Sequence, residues 1–373
     1  MNVEDWEAVR TADRNPFVER GFVRAVERSM RDPGWFRYAI LYDESDAPVA
    51  VACFALFDVD GALLAPKFVQ SFTRGMRKVF RRFMRLRMLL CGLPVSVSGS
   101  NLAVVPGADW DRISATLLEL AEKLARESKA VLISFKEFTP DLAERLQGLE
   151  RAGYYRGNSI VTYLLEEDCS SFEEYYNSRS KRTRANMRKY FRNLEDANIS
   201  WESRSGGGAG FSDLYTDEVH QLYEQVFERA EIKFEHVPPE FFRELALQCP
   251  EASRFTIFSQ EGNVVGFCAA LTSKHTYDML YCGFDYGISE QSSLYFNILY
   301  RGVEDGYNQG LREMYIGASS DEFKRRLGCR GVALSVFVKG VGIITGGIFK
   351  LVAPLMFPKL DSKPVQESSE TER

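Results

Sequence analysis

A lysine near the end of the chain is the first candidate for chemistry. Residues 315 to 328 read YIGASSDEFKRRLG, which predicts a strand end, a tight loop and one short helix. Ser319 and Glu322 have the spacing of a capping box, and Gly328 is placed to end the helix after about two turns. The helix points Lys324 either into solvent or at a substrate. In the second case its ammonium supplies a fixed positive charge for an anionic group.

A run of cations near the middle of the chain is the second candidate. Four of them recur at intervals of three, four and four residues: Lys181, Arg184, Arg188 and Arg192. A capping box at Ser170 or Ser171 predicts the start of the helix that carries them, and this helix is expected to continue to about Ala197. Like charges stacked on one helix face repel each other, so we expect an anion or an acidic group opposite. Lys181, Arg184 and Arg188 are therefore candidate substrate-binding residues.

Composition limits the classes of protein that fit. A chain of 373 residues suggests two domains, and a net charge of -5 argues against a surface that is a nucleic-acid footprint throughout. The seven cysteines are scattered and never form C-x-x-C, and none of the three histidines has metal-ligand spacing, so we expect neither a disulfide framework nor a metal site. The acidic first ten residues lack the apolar segment of a secretory signal, which predicts a cytoplasmic protein.

The elements that must position these residues occur twice. Residues 38–57 and 255–271 each read as strand, polar turn and strand. Each pair is followed by an amphipathic helix, a strand and a short helix, with the two long helices predicted at about 109–128 and 292–309. This repetition predicts an α/β (α+β) fold made of two similar units, in which mixed sheets are flanked by helices.

One segment of the first unit has no counterpart in the second. Residues 67–90 place phenylalanines at helical spacing among eight cations and no acid, which predicts a basic amphipathic insertion. This segment is either a solvated face over ordinary core packing or a contact for anionic lipid, an acidic substrate or tRNA. Between the two units, residues 203–210 read SRSGGGAG and predict a flexible connector.

These features together resemble the Fem-type, FemAB-like acyltransferases of the GNAT (acyl-CoA N-acyltransferase) superfamily. The resemblance is carried by SKRTRANMRKYFRNLEDANI, by LYEQVFERAEIKFEHVPPEFF, by the hairpin FTIFSQEGNVVGF and by YIGASSDEFKRRLG. It implies two tandem GNAT-like domains, at residues 1–165 and 166–338, followed by an apolar segment and polar tail at 339–373. It also implies that Phe323 and Lys324 lie beside the acceptor and the reaction centre.

The donor and the proton acceptor stay open. Where acyl-CoA-using relatives carry a glycine-rich pyrophosphate loop, this chain reads YCGFDYGISEQSSLYF, without a cation and with two acids. This departure from the family pattern argues against acyl-CoA as the donor. It favours either an aminoacyl-tRNA donor or a protein that has lost activity. Tyr281 and Tyr295 in this segment are further candidate substrate-binding residues. The candidates for the general base cannot be ranked from sequence: Asp285, Glu290, Tyr295 and His275.

The last apolar stretch allows two readings. Lys339 and Lys350 are eleven residues apart and would share one side of a helix lying in a membrane interface. Alternatively, residues 339–358 form a strand and a helix that complete the second unit.

The function predicted from sequence is an N-acyltransferase or aminoacyltransferase acting on an amine, with a cell-envelope precursor at the cytosolic membrane face as the candidate acceptor. The alternative is an inactive GNAT-like module that binds anionic lipid or a protein partner. A third possibility is tRNA binding as such.

Overall fold

The computed structural model describes residues 2–13, 15–30, 35–60, 75–76, 85–95, 98–207, 211, 215–230, 235–318 and 321–357. Within these ranges the chain forms one continuous mixed sheet with helices on both faces. The capping box predicted at Ser319 and most of the insertion predicted at 67–90 lie outside the described residues.

Twelve strands make up the sheet: β1 (Trp35–Tyr42), β2 (Pro48–Asp60), β3 (Arg85–Cys91), β4 (Leu102–Val104), β5 (Leu132–Phe138), β6 (Tyr155–Glu166), β7 (Ile199–Ser205), β8 (Ser253–Gln260), β9 (Asn263–Thr272), β10 (Thr276–Phe284), β11 (Glu313–Tyr315) and β12 (Arg330–Gly340). The described α-helices are α1 (Val3–Asp13), α2 (Arg20–Ser29), α3 (Trp110–Ser128), α4 (Pro140–Arg145), α5 (Gly148–Arg151), α6 (Phe172–Ser178), α7 (Lys181–Asp196), α8 (Asp217–Arg229), α9 (Pro239–Gln248), α10 (Tyr286–Ser292), α11 (Leu294–Asn308), α12 (Asp321–Leu327) and α13 (Ile343–Met356).

The sheet confirms the duplication predicted from sequence. Its order is β1-β2-β3-β5-β12-β6-β11-β10-β9-β8-β7, with β4 pairing β2 outside this path. In each unit three consecutive antiparallel strands, β1-β2-β3 and β8-β9-β10, lead into a parallel pair, β3 with β5 in the first and β10 with β11 in the second. The second unit adds β7, which is antiparallel to β8. Since β3 and β5, like β10 and β11, are joined by a long helix, the parallel pairing is the expected one.

The last strand of each unit pairs with the other unit. Strand β12 lies between β5 and β6, and β6 lies between β12 and β11, all in antiparallel pairs. The division at residue 165 stays a prediction, because β6 ends the first stretch of chain while it hydrogen-bonds to strands of the second. The two stretches therefore cannot separate without breaking the centre of the sheet.

Three large apolar clusters hold the helices on the sheet. One is shared by both units and includes residues of α1, α2, α8 and α9 on a single face. The others cover the opposite face, one under α3 and α4 and one under α6, α7, α11 and α12. In the shared cluster, Gly21 of α2 lies against the end of α9, where an added Cβ would be 2.8 Å from the sulfur of Cys249.

The basic helix predicted from Ser171 to Ala197 is broken, so that prediction is wrong in one respect. Helix α6 ends at Ser178, and Arg179 and Ser180 are extended before α7 begins. Ser180 accepts a hydrogen bond from the Thr183 amide at 3.1 Å and so acts as a second N-cap. Serine in this position competes with the helix for backbone hydrogen bonds, which explains the break.

Two other stretches are more regular than predicted. Arg85 to Leu90, counted with the basic insertion, belong to β3, where Arg87 pairs with Asp58 at 3.4 Å. Residues 203–205, counted with the flexible connector, are the end of β7 and pair with β8. Gly206 follows against Ser253 and Ala246, where a Cβ would overlap both, so glycine is needed for this close approach.

The tail forms a strand and then a helix. Lys339 lies in β12, where its Nζ donates to Glu122 at 2.8 Å and to the carbonyl of Ala152 at 3.0 Å. Lys339 and Lys350 therefore do not share the side of one helix, and that interpretation is wrong. Helix α13 packs Phe349 and Ala353 against the sheet while Leu351 is 79% exposed. Within the described ranges, no helix combines the length and apolarity needed to cross a membrane.

Candidate active site

The candidate site lies where two parallel strands separate. Strands β10 and β11 are paired from Thr276 and Glu313 as far as Asp278 and Tyr315, where β11 ends. The chain then turns toward β6, with the Ile316 amide donating to the Tyr163 carbonyl at 2.8 Å and the Tyr163 amide donating to the Gly317 carbonyl at 3.1 Å. Strand β10 continues through a bulge between Met279 and Tyr281. A gap therefore opens between β10 and the turn at Gly317.

Lys324 is buried at this gap. Its side chain comes from α12 and is only 2% exposed. A Cβ built on Gly317, whose φ is +75°, would be 3.6 Å from Nζ and 3.7 Å from the carbonyl oxygen of Met279. The ring centroid of Tyr163 is 5.5 Å from Nζ, within the range of a cation–π contact. The turn thus needs a glycine for its backbone, and the missing side chain leaves space beside the ammonium.

The ammonium has no charged or hydrogen-bonded partner among the described residues. The groups that surround it electrostatically are the thiols of Cys282, Cys329 and Cys268. Burial lowers the pKa of Lys324 to about 8, and only these thiols oppose the shift. A buried cation without a carboxylate is costly for folding, so such a group is a functional-site candidate on physical grounds.

The short helix that carries Lys324 is fixed from its C-terminal end. The Tyr175 hydroxyl donates to the Leu327 carbonyl at 2.8 Å, and Arg179 donates to the same oxygen at 3.3 Å. Gly328, at φ +98°, ends the helix as predicted. Tyr175 of α6 and Arg179 of the break after it thus satisfy one of the carbonyl groups that the C-terminus of a helix leaves open.

Phe323 is a buried anchor of the same helix. It is 9% exposed, and its ring lies 4.6 Å from that of Phe296 and 5.7 Å from that of Tyr300. Tyr295 is 6.3 Å away, and Tyr190 of α7 is 6.4 Å away. The structure therefore brings Phe323 and Tyr295 together, with Phe323 packed as a core residue of the helix that carries Lys324.

Tyr281 lies on the opposite side of the sheet from this group. Its ring packs against Tyr223, Phe241 and Phe242, and its hydroxyl donates to Glu235 at 2.6 Å. The neighbouring Cys282 is among the thiols around Lys324. Because side chains alternate along a strand, Tyr281 and Lys324 face different sides.

The cations of α7 behave differently from one another. Arg184 donates to the carbonyls of Asn177 at 2.9 Å and Arg179 at 2.7 Å, so it caps the end of α6. Arg188 is exposed and donates to the Tyr176 hydroxyl at 2.7 Å. Lys181 is exposed at the first turn of α7. None of the three is paired with an acid in the part of the chain that the structure describes. Lys181 and Arg188 are therefore the two exposed cations of this helix face that could bind the anion predicted from sequence.

The candidate bases are separated by the fold. Asp285 is the N-cap of α10 and accepts from the Gly287 amide at 2.7 Å. Its carboxylate therefore lies at the helix start where a pyrophosphate would bind in a standard GNAT loop. His275 is exposed in the turn before β10, and Glu290 is exposed on α10. The general base remains unassigned among them and Tyr295.

The structure reveals a buried carboxyl that the sequence did not indicate. Asp278 is 1% exposed on β10 and accepts from the Ser98 hydroxyl of the first unit and from Thr276 at 2.8 Å. Burial raises its pKa to about 7, and these two hydrogen bonds oppose the shift. No local sequence signal marks this carboxyl, because its partner Ser98 is 180 residues away in the chain.

The corresponding gap of the first unit is closed. Directly after the last paired residues of β3 and β5, Cys91 and Phe135, Lys136 of β5 extends past Gly92 and donates to the carbonyls of Leu93 at 3.2 Å and Val95 at 3.0 Å. Its Nζ is also 3.1 Å from the carboxylate of the buried Glu137. The ammonium here is satisfied by the protein itself. The two units thus share the arrangement of strands. Lys136 is bonded to groups of the protein, whereas Lys324 has no such partner among the described residues.

Two cavities of about 400 and 330 Å³ are found elsewhere in the described residues. The first is lined by residues of β1, β2, β3 and α3, including Trp35 and Arg87. The second lies under the glycine-rich turn before α13. Neither of these two cavities is lined by Lys324.

Two repeated mixed units, each with a parallel strand pair that separates at one end, define a tandem GNAT-like protein. The fold class predicted from sequence is confirmed. The chain belongs to the FemAB-like family, described as peptidoglycan biosynthesis/recognition, which matches residues 1–335.

Solved structures share this fold at low sequence identity. FemX is 13% identical, with 94% of this chain and 98% of FemX covered and a TM-score of 0.62. The C-terminal domain of a putative lysylphosphatidylglycerol synthetase from Agrobacterium fabrum is 12% identical over 96% and 98% of the two chains, at a TM-score of 0.52. A tandem GNAT protein from the clavulanic acid biosynthesis pathway is 11% identical over 91% and 95%, at 0.50. No curated protein matches the sequence. Family and fold indicate an acyl- or aminoacyl-transferase of the GNAT-like kind.

Proposed function

We propose that this protein transfers an aminoacyl or acyl group to the amine of a cell-envelope precursor, with Lys324 as the residue that stabilises the developing negative charge. In this reaction the amine nitrogen attacks the carbonyl carbon of an ester or thioester. A C–N bond forms, the C–O or C–S bond breaks, the amine loses one proton and the leaving group takes one.

The observation that carries the proposal is the buried ammonium at the strand gap. Lys324 is 2% exposed and has no acidic partner in the described chain. A cation held in a dry site gains most from a negative charge that appears only in the transition state. A carbonyl lying in the gap beside Gly317 would bring its oxygen within reach of Nζ.

The charge distribution favours an aminoacyl-tRNA donor over acyl-CoA. Asp285 occupies the helix start where a pyrophosphate would bind, and like charge there is unfavourable. Lys181 and Arg188 offer exposed cations on α7 for an anionic substrate. Phe323 and Tyr295 would form the wall of the acceptor site. Tyr281 would instead stabilise the packing on the opposite face of the sheet.

Peripheral association with the inner face of the cell membrane fits the same proposal. The exposed Leu351 and Lys350 lie on one apolar helix, α13, at the surface. The FemX and lysylphosphatidylglycerol synthetase structures share the fold, and the second name refers to a lipid product. A lipid-linked amine would be presented at such a surface.

The test is turnover by variants of the lysine. Purified protein is supplied with aminoacyl-tRNA or acyl-CoA and with nucleotide- or lipid-linked peptidoglycan precursors, and mass spectrometry detects the acylated product. Lys324→Ala should lower kcat/KM by roughly 100-fold or more, as expected when one donor to an oxyanion is lost. Lys123→Ala, at an exposed position of α3, is the matched surface control. Wild-type turnover by Lys324→Ala would remove Lys324 from the mechanism.

The alternative is an inactive GNAT-like module, which the missing pyrophosphate loop favours. Ligand-dependent melting separates the two. A ligand present at 100 times its dissociation constant adds about 2.7 kcal/mol of stability. A melting shift with anionic lipid, and none with acetyl-CoA, long-chain acyl-CoA or nucleotide-linked muropeptide, would favour the binding module.

A further inference from the structure

Two of the three histidines of the chain meet at one carboxylate, beside the apolar cluster on the face of the sheet opposite the lysine helix. His220 and Glu224 lie one turn apart on α8, and His236 precedes α9. The Nε2 atoms of His220 and His236 are 3.1 Å and 2.5 Å from the same oxygen, Oε1 of Glu224. All three ligand atoms lie within 4.8 Å of one another. We propose that His220, Glu224 and His236 bind a divalent first-row transition-metal ion of the zinc class.

The donor set suits this class of ion. Two imidazole nitrogens and one carboxylate oxygen are ligands that zinc accepts at about 2.0 to 2.2 Å, with a further position left for water. Bonds of this length in a tetrahedron keep ligand atoms about 3.4 Å apart. The pair formed by His220 and Glu224 is close to this separation already. His236 would have to withdraw by roughly 1 Å, and its side chain is 51% exposed, so it has room to do so.

The ring of His220 is held in place by a second partner. Its Nδ1 is 3.1 Å from the Tyr215 hydroxyl, and the rings of Tyr223 and Phe242 pack 5.3 Å and 6.0 Å away. A hydrogen bond at one ring nitrogen orients the other toward a metal, and such outer partners are characteristic of metal-binding histidines. Tyr215 would have this role here.

His236 is also positioned by contacts outside the carboxylate. Its ring is 5.1 Å from that of Phe227, and the amide of the next residue, Val237, donates to the Tyr223 hydroxyl at 3.1 Å. Both contacts attach the segment before α9 to α8. The position of His236 is therefore determined by packing against α8 as well as by its contact with the Glu224 carboxylate.

The surrounding charges favour a cation. Glu240 acts electrostatically on His220, and Glu235 acts on Tyr223 beside it. Arg243, the nearby cation on α9, is paired with Asp217 at 2.8 Å. Glu235 also accepts from Tyr281 at 2.6 Å. An ion at this cluster would thus fix the segment from Glu235 to Val237 over the face of the sheet that carries Tyr281. This proposal is independent of the transferase activity.

The test measures metal binding directly on the full chain. Protein stripped with chelator is titrated with Zn²⁺ by calorimetry, and Co²⁺ serves as a probe whose visible absorption reports on coordination. We expect one Zn²⁺ per chain and a Co²⁺ spectrum of four- or five-coordinate type, with Mg²⁺ and Ca²⁺ failing to compete because they prefer oxygen ligands.

Variants identify the ligands. His236→Ala and Glu224→Gln should each weaken Zn²⁺ binding by at least 10-fold, and Tyr215→Phe should weaken it 10- to 100-fold through the loss of an outer partner. His275→Ala, the remaining histidine, should bind as wild type, and far-ultraviolet circular dichroism checks that each variant is folded. A folded wild-type protein that takes up no Zn²⁺, or one whose affinity survives His236→Ala and Glu224→Gln, would overturn the metal site and leave a hydrogen-bonded contact between α8 and the segment before α9.

Discussion

Lys136 and Lys324 lie beyond the last paired residues of the two parallel strand pairs, one in each unit, yet they have opposite surroundings. Lys136 donates to two carbonyls and pairs with Glu137 at 3.1 Å. Lys324 has thiols and one aromatic ring around it and no acid among the described residues. Both units contain a parallel strand pair that ends beside a lysine, and under the proposed function only the lysine of the second unit is available to a substrate.

The stability of the fold should improve when the charge of Lys324 is removed. Burial lowers its pKa from 10.5 to about 8, so below pH 8 the folded protein carries a cation that is more stable in the unfolded chain. A shift of this size corresponds to a cost on the order of 3 kcal/mol. Lys324→Met should therefore raise the free energy of unfolding at pH 7 by up to about that amount.

Because burial lowers the pKa of Lys324, the free energy of unfolding should depend on pH in a defined direction. Between pH 8 and 10.5 the unfolded state binds more protons than the folded state, so wild-type stability rises with pH in this window and the advantage of Lys324→Met shrinks. Chemical denaturation at pH 7 and pH 10 measures both variants, with the exposed Lys350→Met as control. Equal destabilisation by Lys324→Met at both values would contradict the burial argument. If Lys324 acts as a cation, turnover should also decline as pH rises through about 8.

Lys136 should matter for stability and not for turnover. Lys136→Met removes one ion-pair partner of the buried Glu137 carboxylate and two hydrogen bonds to carbonyls. Breaking one side of a buried pair typically costs about 3 to 5 kcal/mol. We expect a clear drop in melting temperature, with the kcat/KM of the remaining folded protein within about twofold of wild type. A large loss of turnover without loss of stability would mean that the first unit takes part in catalysis.

Arg184 and Arg188 form a matched pair on α7 with different predicted roles. Arg184→Gln loses two hydrogen bonds to carbonyls at the end of α6 and should lower stability by about 1 kcal/mol. Arg188→Gln should leave stability within about 0.5 kcal/mol of wild type.

For tRNA binding we expect the opposite order of effects, with the larger effect at Arg188. If Arg188 contacts a phosphate of tRNA, Arg188→Gln should reduce the slope of log affinity against log salt by about one. Fluorescence anisotropy with a labelled tRNA over a range of salt concentrations measures it, and circular dichroism measures the stability. An unchanged slope in Arg188→Gln, or no tRNA binding by the wild type, would remove Arg188 from donor recognition.

Local patterns predicted the elements of this fold but not the exchange of strands between its units. Hairpins, long helices and the glycine at the end of α12 follow from periodicity and turn residues, and each was placed within a few positions. The pairing of β6 with β11 and of β12 with β5 joins strands far apart in the chain. Alternating apolar residues show that a strand has a buried face, but they do not show which neighbour it takes.

The site shows the same limit. Lys324 stands next to Arg325 and Arg326, and only the burial of its side chain distinguishes it from an ordinary surface lysine. His220 and His236 are sixteen residues apart, a spacing without meaning until α8 and the start of α9 are packed together. Asp278 likewise depends on Ser98 in the other unit. Chemistry that arises from tertiary contacts leaves no local signal.

Helix α13 should be the element that meets lipid. Leu351 is 79% exposed on an apolar helix that also carries Lys350. In flotation with vesicles containing anionic lipid, the wild type should rise with the vesicles, and Leu351→Asp should remain at the bottom because a charge opposes insertion into the interface. Leu247→Asp on α9, where the side chain is 61% exposed, is the control. No flotation by the intact protein would contradict peripheral association.

The close contact between α2 and α9 predicts that the two units unfold together. A Cβ at Gly21 would overlap the carbonyl oxygen of Gln248 and lie 2.8 Å from the sulfur of Cys249. In an isolated helix, replacing glycine by alanine adds about 1 kcal/mol of stability. Here the added methyl meets backbone, which cannot move aside as a flexible side chain can, so Gly21→Ala should lower stability by about 1 to 3 kcal/mol.

Gly347 supplies the matched control, since it lies in α13 with nothing within 4 Å of a Cβ. Gly347→Ala should leave the melting temperature unchanged or raise it slightly.

Tryptophan fluorescence then reports on both units, because Trp6 belongs to the first and Trp201 to the second. For Gly21→Ala the two signals should shift together in a single transition, since α2 and α9 share one apolar cluster and β6 and β12 cross between the units. Variants that keep one tryptophan at a time assign the signals. If only the transition reported by Trp6 moved, the units would unfold separately, and the shared cluster would not couple them.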